Sequence, residues 1–218
     1  MPARTDVCQD RPVRENYEYE THVTVRCDED GAQRLDAWAR AAGLKVTHIV
    51  LARGRMPVQP MLTLRGTDGL GGQRAAADVL VGRLRADGFD PVRVKIETTP
   101  WSPEAGSSDG YFEHHVKLEL DEDFDRETLT ALAVRHGAHL SWNARRVTSV
   151  GRHERFVTQR CHGGSAEEAG RACDAMVTEL AAAGYEIRSQ EREFVLYDSD
   201  LSVDDGWIDG WIDKGAGA

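Results

Sequence analysis

The chain has 218 residues, of which 40% are hydrophobic and 29% are charged, a balance typical of folded globular proteins. This composition excludes a disordered, collagen-like or coiled-coil chain, and the net charge of −10 argues against broad nucleic-acid binding, which needs a basic surface. No segment approaches the ~20 apolar residues that span a bilayer. The N-terminal residues lack the apolar core of a signal peptide, so we predict a cytoplasmic protein.

The first half of the chain predicts one β-α-β-β-α-β unit over 17–101, after a flexible N-terminal segment at 1–16. An alternating strand is followed by a helix whose apolar residues recur at a spacing of 3.6 and which ends at Gly43. Two strands, a second helix ending at Gly88 and a last strand follow. The predicted strands cover 17–27, 44–53, 58–66 and 92–99.

The second half repeats this order over 111–197, after a linker at 102–110 that is rich in Gly and Ser. Its two predicted helices also end at glycines, Gly137 and Gly184, which suit the left-handed position after a helix. The predicted strands cover 111–120, 138–147, 155–161 and 187–197.

Sequence similarity between the halves indicates an internal duplication. The segment YETHVTV resembles FEHHVKL and places His22 and His115 93 positions apart, while Glu97 and Glu193 are 96 apart. We therefore predict an α+β fold, a tandem duplication of a ferredoxin-like βαββαβ unit with antiparallel sheets and helices on one face. Two such units would bury their open faces against each other or line a cleft with them.

Strand alternation places a recurrent polar set on the open face of each predicted sheet. Glutamate and histidine can exchange protons with a substrate, so these residues are the predicted catalytic groups. They are Glu20, His22 and Glu97 in the first half, and Glu113, His115 and Glu193 in the second.

Arginine and hydroxyl side chains on the same faces are the predicted substrate-binding residues, because arginine binds carboxylate or phosphate bidentately. They are Arg65, Arg160, Thr63 and Thr158, to which the second half adds His139, Asn143 and Arg145. These additional groups favour the second half as the active copy.

The polar set has two other interpretations. The arginines could form cross-strand ion pairs with the glutamates and only fix the interface between the sheets. Alternatively, two imidazoles and two carboxylates could hold a divalent metal, with the ligands Glu20, His22, Glu113 and His115. The cofactor stays open, and no nucleotide-cofactor motif occurs.

Residues 198–218 form an acidic tail that contains Trp207 and Trp211. Tryptophans offer large apolar surfaces and are rarely spent on a solvated tail. They could dock onto the chain's own surface or form a hook for a partner chain, and a homodimer is a further option.

These patterns predict an enzyme that acts on a small carboxylate- or phosphate-bearing metabolite between two sheets. Glu/His acid-base or metal-assisted chemistry would suit a hydrolase, lyase or isomerase. The alternative is a non-catalytic module that binds a ligand or another protein and whose charged faces are structural interfaces.

Overall fold

A computed structural model describes residues 17–106, 110–145 and 152–207. Within these ranges, eight strands and four α-helices follow the order β-α-β-β-α-β twice. The strands are β1 Tyr19–Arg26, β2 Lys45–Leu51, β3 Val58–Gly66, β4 Asp90–Thr98, β5 Tyr111–Leu120, β6 Ala138–Asn143, β7 His153–His162 and β8 Glu186–Asp198. The helices are α1 Glu29–Ala41, α2 Gly69–Ala86, α3 Arg126–Arg135 and α4 Ala166–Ala182.

The strands form one closed antiparallel barrel in the order β1-β3-β2-β6-β7-β5-β8-β4. The strand order is β4-β1-β3-β2 in the first half and, equivalently, β8-β5-β7-β6 in the second. The expectation of two separate sheets is corrected, because β2 pairs with β6 and β4 with β8. These pairings satisfy the backbone groups that two open sheets would leave at their edges.

The helices lie outside the barrel, and the hydrophobic core lies between them and the strands. Val23 and Leu62 pack against Leu35 and Leu80 in the first half, while Val116 and Leu140 share a buried cluster with other residues in the second. The polar face of each strand is thereby directed into the barrel. None of the helices in the described ranges is both long and apolar enough to cross a bilayer.

The C-terminal segment, residues 199–207, folds back over one end of the barrel. It contains a short 3-10 helix, Leu201–Asp204. The Arg55 backbone N–H donates to the Asp205 carbonyl at 2.7 Å, and the Trp207 indole N–H donates to the Leu140 carbonyl at 3.2 Å. Trp207 is buried within its own chain, and Trp211 lies outside the described residues.

Candidate functional site

The barrel lumen is a cavity of about 620 Å³, within the usual range of small-molecule sites. The C-terminal segment covers one end, where Asp204 and Trp207 line the cavity. Arg65, whose side chain is 62% exposed, lies near the opposite, open end. The lumen brings together nearly all the predicted site residues: Glu20, His22, Thr63, Arg65, Glu97, Glu113, His115, Asn143, Thr158, Arg160 and Glu193.

A buried layer of ion pairs crosses the lumen and joins the two halves. The Lys95 ammonium lies 2.5 Å from Glu113 Oε1 and also contacts Glu97. Arg160 pairs with Glu113 from the other side. Burial alone would raise the pKa of Glu97, but the charges of Lys95 and His22 lower it to about 2. Glu97, Glu113 and Lys95 are therefore charged at neutral pH, because each opposite charge stabilises the ionised form of its neighbour.

The covered end of the lumen contains a second buried ionic cluster. Asp204 Oδ2 accepts from Arg93 at 2.7 Å and from Arg160 at 2.6 Å, while Asp204 Oδ1 accepts from Gln59 at 2.8 Å. Arg93 also donates to Asp198, which accepts from the Tyr111 hydroxyl at 2.8 Å. Asp204 thus ties the C-terminal segment to arginines from both halves of the chain.

His115 stands beside the first of these layers, with its ring accessible from the lumen. Its Nδ1 lies 2.9 Å from the Thr158 hydroxyl, and its Nε2 lies 3.3 Å from Glu193 and 3.4 Å from Glu113. Burial alone would lower the pKa of His115, but hydrogen bonds and charge from Glu113 and Glu193 raise it to about 10. His115 is therefore an imidazolium at neutral pH.

Glu193 is the partner of His115 that faces the cavity. Its side chain is 19% exposed, against 2% for Glu113. Burial and the charge of Glu97 raise the pKa of Glu193 above its ordinary value, although His115 opposes this shift. Such a carboxyl group holds and releases a proton closer to neutral pH than an ordinary glutamate does.

The first half contains an equivalent but differently connected group around His22. Its Nδ1 lies 3.1 Å from the Thr63 hydroxyl, and its Nε2 lies 2.9 Å from Glu97 and 3.9 Å from Glu20. Glu97 here is 2% exposed and Glu20 is 26% exposed, the reverse of the burial seen for Glu193 and Glu113. The two copies therefore offer different carboxylates to the lumen.

The equivalent arginines of the two halves, Arg65 and Arg160, have different surroundings. Because β1 and β5 run in opposite directions in the barrel, Arg65 lies at the open end and Arg160 at the covered end. Arg160 is 5% exposed and held by Glu113 and Asp204, whereas Arg65 is largely exposed and pairs with Glu20 at 2.5 Å. Because Arg160 pairs with both Glu113 and Asp204, it matches the interpretation in which the arginines form structural ion pairs with carboxylates.

Two predicted binding residues do not line the lumen. Arg145 pairs with Asp36 of α1, outside the barrel. His139 is buried beneath the C-terminal segment, with its ring centroid 6.1 Å from that of Trp207. Alternation placed both on the inner side of β6, but β6 ends at Asn143 and Trp207 occupies the space beside His139. The structure therefore places neither side chain in the lumen.

The four predicted metal ligands have other partners in the structure, such as Arg65 for Glu20 and Glu97 for His22. Among residues 17–106, 110–145 and 152–207, no three His, Cys, Asp or Glu side chains form a group that could hold a metal ion. Glu113 instead contacts the Lys95 ammonium and the Arg160 guanidinium. Positive side chains at this carboxylate oppose a bound cation.

Six residues of the buried clusters were not predicted as site residues: Gln59, Arg93, Lys95, Tyr111, Asp198 and Asp204. Strand alternation places Arg93 and Lys95 on the same face as Glu97, and that signal could have found them. Nothing in the sequence pattern connects Asp204 with the strands, because only the folded C-terminal segment brings it into the barrel.

Comparisons with known proteins assign no family. No family model and no curated protein matches the chain. Solved structures with similarity include the acetolactate synthase small subunit from Thermotoga maritima, at 12% identity and a TM-score of 0.28, covering 83% of this chain and 95% of that one. A chlorite dismutase from Candidatus Nitrospira defluvii in complex with imidazole has 12% identity and a TM-score of 0.28, with coverages of 82% and 90%. The ligand-free regulatory subunit of aspartate kinase from Thermus thermophilus has 13% identity and a TM-score of 0.30, with coverages of 75% and 92%. These scores are too low to carry an argument about function.

Proposed function

We propose that the lumen binds a small molecule with a carboxylate or phosphate group and that the protein acts on it by acid-base chemistry. The observation that carries this proposal is the pair formed by His115 and Glu193. The cavity reaches both side chains, while the ion pairs that hold them in place are almost completely buried. Perturbed ionisable groups at an accessible cavity are typical of active sites.

The two groups of the pair have different roles in this proposal. The His115 imidazolium binds the anionic group and stabilises negative charge that develops next to it. Glu193, whose raised pKa suits proton transfer, takes a proton from the substrate and returns it. Glu113, Lys95 and Arg160 act as positioning residues, because each is largely buried and already paired with an opposite charge. This assignment favours a lyase or isomerase that moves a proton.

A second candidate function is a non-catalytic module that binds the same kind of molecule. The paired state of Arg65 and Arg160 favours it, since both arginines already have carboxylate partners in this chain. Arginines that are paired within the chain can fix the geometry of the lumen without taking part in chemistry. The two functions differ in whether Glu193 is needed for turnover or only for binding.

We also infer that the two halves, 17–101 and 111–197, derive from duplication of one ferredoxin-like unit. The repeated element order and the matching strand order in both halves support this origin. Retention of the His–Thr pair in both copies is consistent with an ancestral site, of which the second copy became the active one.

The proposed function predicts separate effects on binding and turnover. Thermal melts against a panel of small carboxylates and phosphates should identify ligands that raise the melting temperature. His115→Gln should weaken their binding by about tenfold or more, because a charge-assisted contact is lost. Glu193→Gln should retain binding within about threefold and abolish turnover of the ligand that is a substrate.

The matched control is His153→Ala, which removes a histidine of β7 that does not line the lumen. It should bind the same ligands as the natural chain does. Unchanged binding by His115→Gln would contradict the proposed site. Turnover that survives in Glu193→Gln would favour the non-catalytic role for that residue.

A further inference from the structure

The wall of the lumen is divided into a charged side and a largely neutral side. The strands β5, β8, β4 and β1 are consecutive in the barrel and carry most of the ionisable groups described above. The strands β3, β2, β6 and β7 complete the circle, and apart from Lys45, Arg65 and Arg160 their lining side chains are uncharged. The uncharged lining residues include Thr47, Ile49, Met61, Ser141, Asn143 and Phe156.

Three apolar side chains of the neutral side are not needed for the hydrophobic core. Ile49, Met61 and Phe156 are partly exposed, and none belongs to the buried clusters between the barrel and its helices. They line the cavity instead. Apolar surface left against water is unfavourable and is available for burial by a ligand.

The apolar residues lie next to the hydroxyls that contact the two histidines. Met61 is two positions before Thr63 on the same face of β3, and Phe156 is two positions before Thr158 on β7. Lys117 also lies over the Phe156 ring, at 5.3 Å from its centroid. A ligand held at His115 would therefore extend its remaining atoms over this apolar surface.

We infer that the ligand is amphipathic: an anionic head group binds at His115, and an aryl or short alkyl body packs against Ile49, Met61 and Phe156. This inference rests on the proposed function, because the same lumen and the same histidine hold the head group. The cavity volume of about 620 Å³ accommodates such a molecule. Apolar walls with a few placed polar groups are the usual composition of such sites.

Two probes of equal charge test the inference, sodium benzoate and sodium acetate, titrated into the full chain. Binding is followed by the imidazole resonances of His22 and His115 and by calorimetry. Benzoate should bind about tenfold tighter or more, because its ring buries apolar surface that acetate lacks. Phe156→Leu and Met61→Thr should each reduce this preference at least about threefold and leave acetate affinity unchanged.

The control variant is Val79→Ala, which removes an exposed apolar side chain of α2 outside the barrel. It should keep the full preference for benzoate. Equal affinities for the two probes, with His115 shifted by both, would overturn the inference and leave the proposed function intact. If neither probe moves the His115 resonances, the inference fails, and the proposed function fails for carboxylate ligands.

Discussion

Replacing Asp204 with alanine should destabilise the protein by about 3–5 kcal/mol, the range typical for removal of one partner from a buried charge network. Asp204 is 5% exposed and accepts from Arg93, Arg160 and Gln59. Without it, two buried guanidinium groups lose a shared counter-charge. The loss should appear as a lower urea midpoint in equilibrium unfolding, followed by far-UV circular dichroism.

The neighbouring residue provides a matched control for this prediction. Asp205 is exposed, and its carboxylate lies 3.8 Å from an exposed Arg55, so Asp205→Ala should change stability by less than about 1 kcal/mol. Added formate should restore part of the stability of Asp204→Ala and not affect Asp205→Ala, because a free carboxylate can occupy the space between the arginines. An Asp204→Ala variant as stable as Asp205→Ala would contradict the role given to the C-terminal segment.

Glu113→Gln should have the second large effect, a loss of about 3 kcal/mol or more. Glu113 is 2% exposed and holds Lys95, Arg160 and His115 with one carboxylate. The amide is of similar size but leaves three cationic groups with less compensating charge. Chemical unfolding of the purified full chain measures this loss directly.

The equivalent residue in the first half is the control, because Glu20 occupies the same position of β1 and is 26% exposed. Glu20→Gln should cost less than about 1 kcal/mol, since its partner Arg65 is largely exposed to solvent. If Glu20→Gln and Glu113→Gln lose the same amount of stability, the difference in burial between the two glutamates has no effect on stability, which would contradict this prediction.

Strand alternation predicted which side chains line the lumen, because every second residue of a strand faces the same side, both in an open sheet and in a barrel. Glu20, His22, Glu113 and His115 reach the lumen for this reason. Alternation does not reveal how deep a residue lies. Arg65 and Arg160 are equivalent in sequence, yet opposite strand directions place one at the open end and the other beneath the C-terminal segment.

Barrel closure could not be predicted from the sequence, because it depends on pairing between strands far apart in the chain. The contacts Ile49 to Asn143 and Glu97 to Val195 join the two halves at their edges. Neither edge carries a sequence pattern that distinguishes such pairing from an exposed edge. The entry of Asp204 into the barrel is a similar tertiary effect, since an acidic tail is ordinarily solvated.

The account depends most on a buried ionic layer that holds His115 as an imidazolium facing an accessible cavity. Titration of the His115 ring by NMR, in the full chain and across the alkaline range, tests this most directly. We expect the ring to titrate with a pKa of about 10, because Glu113 and Glu193 hold the proton. An ordinary pKa near 6.5 would mean that these carboxylates do not act on the ring, and it would contradict the proposed site.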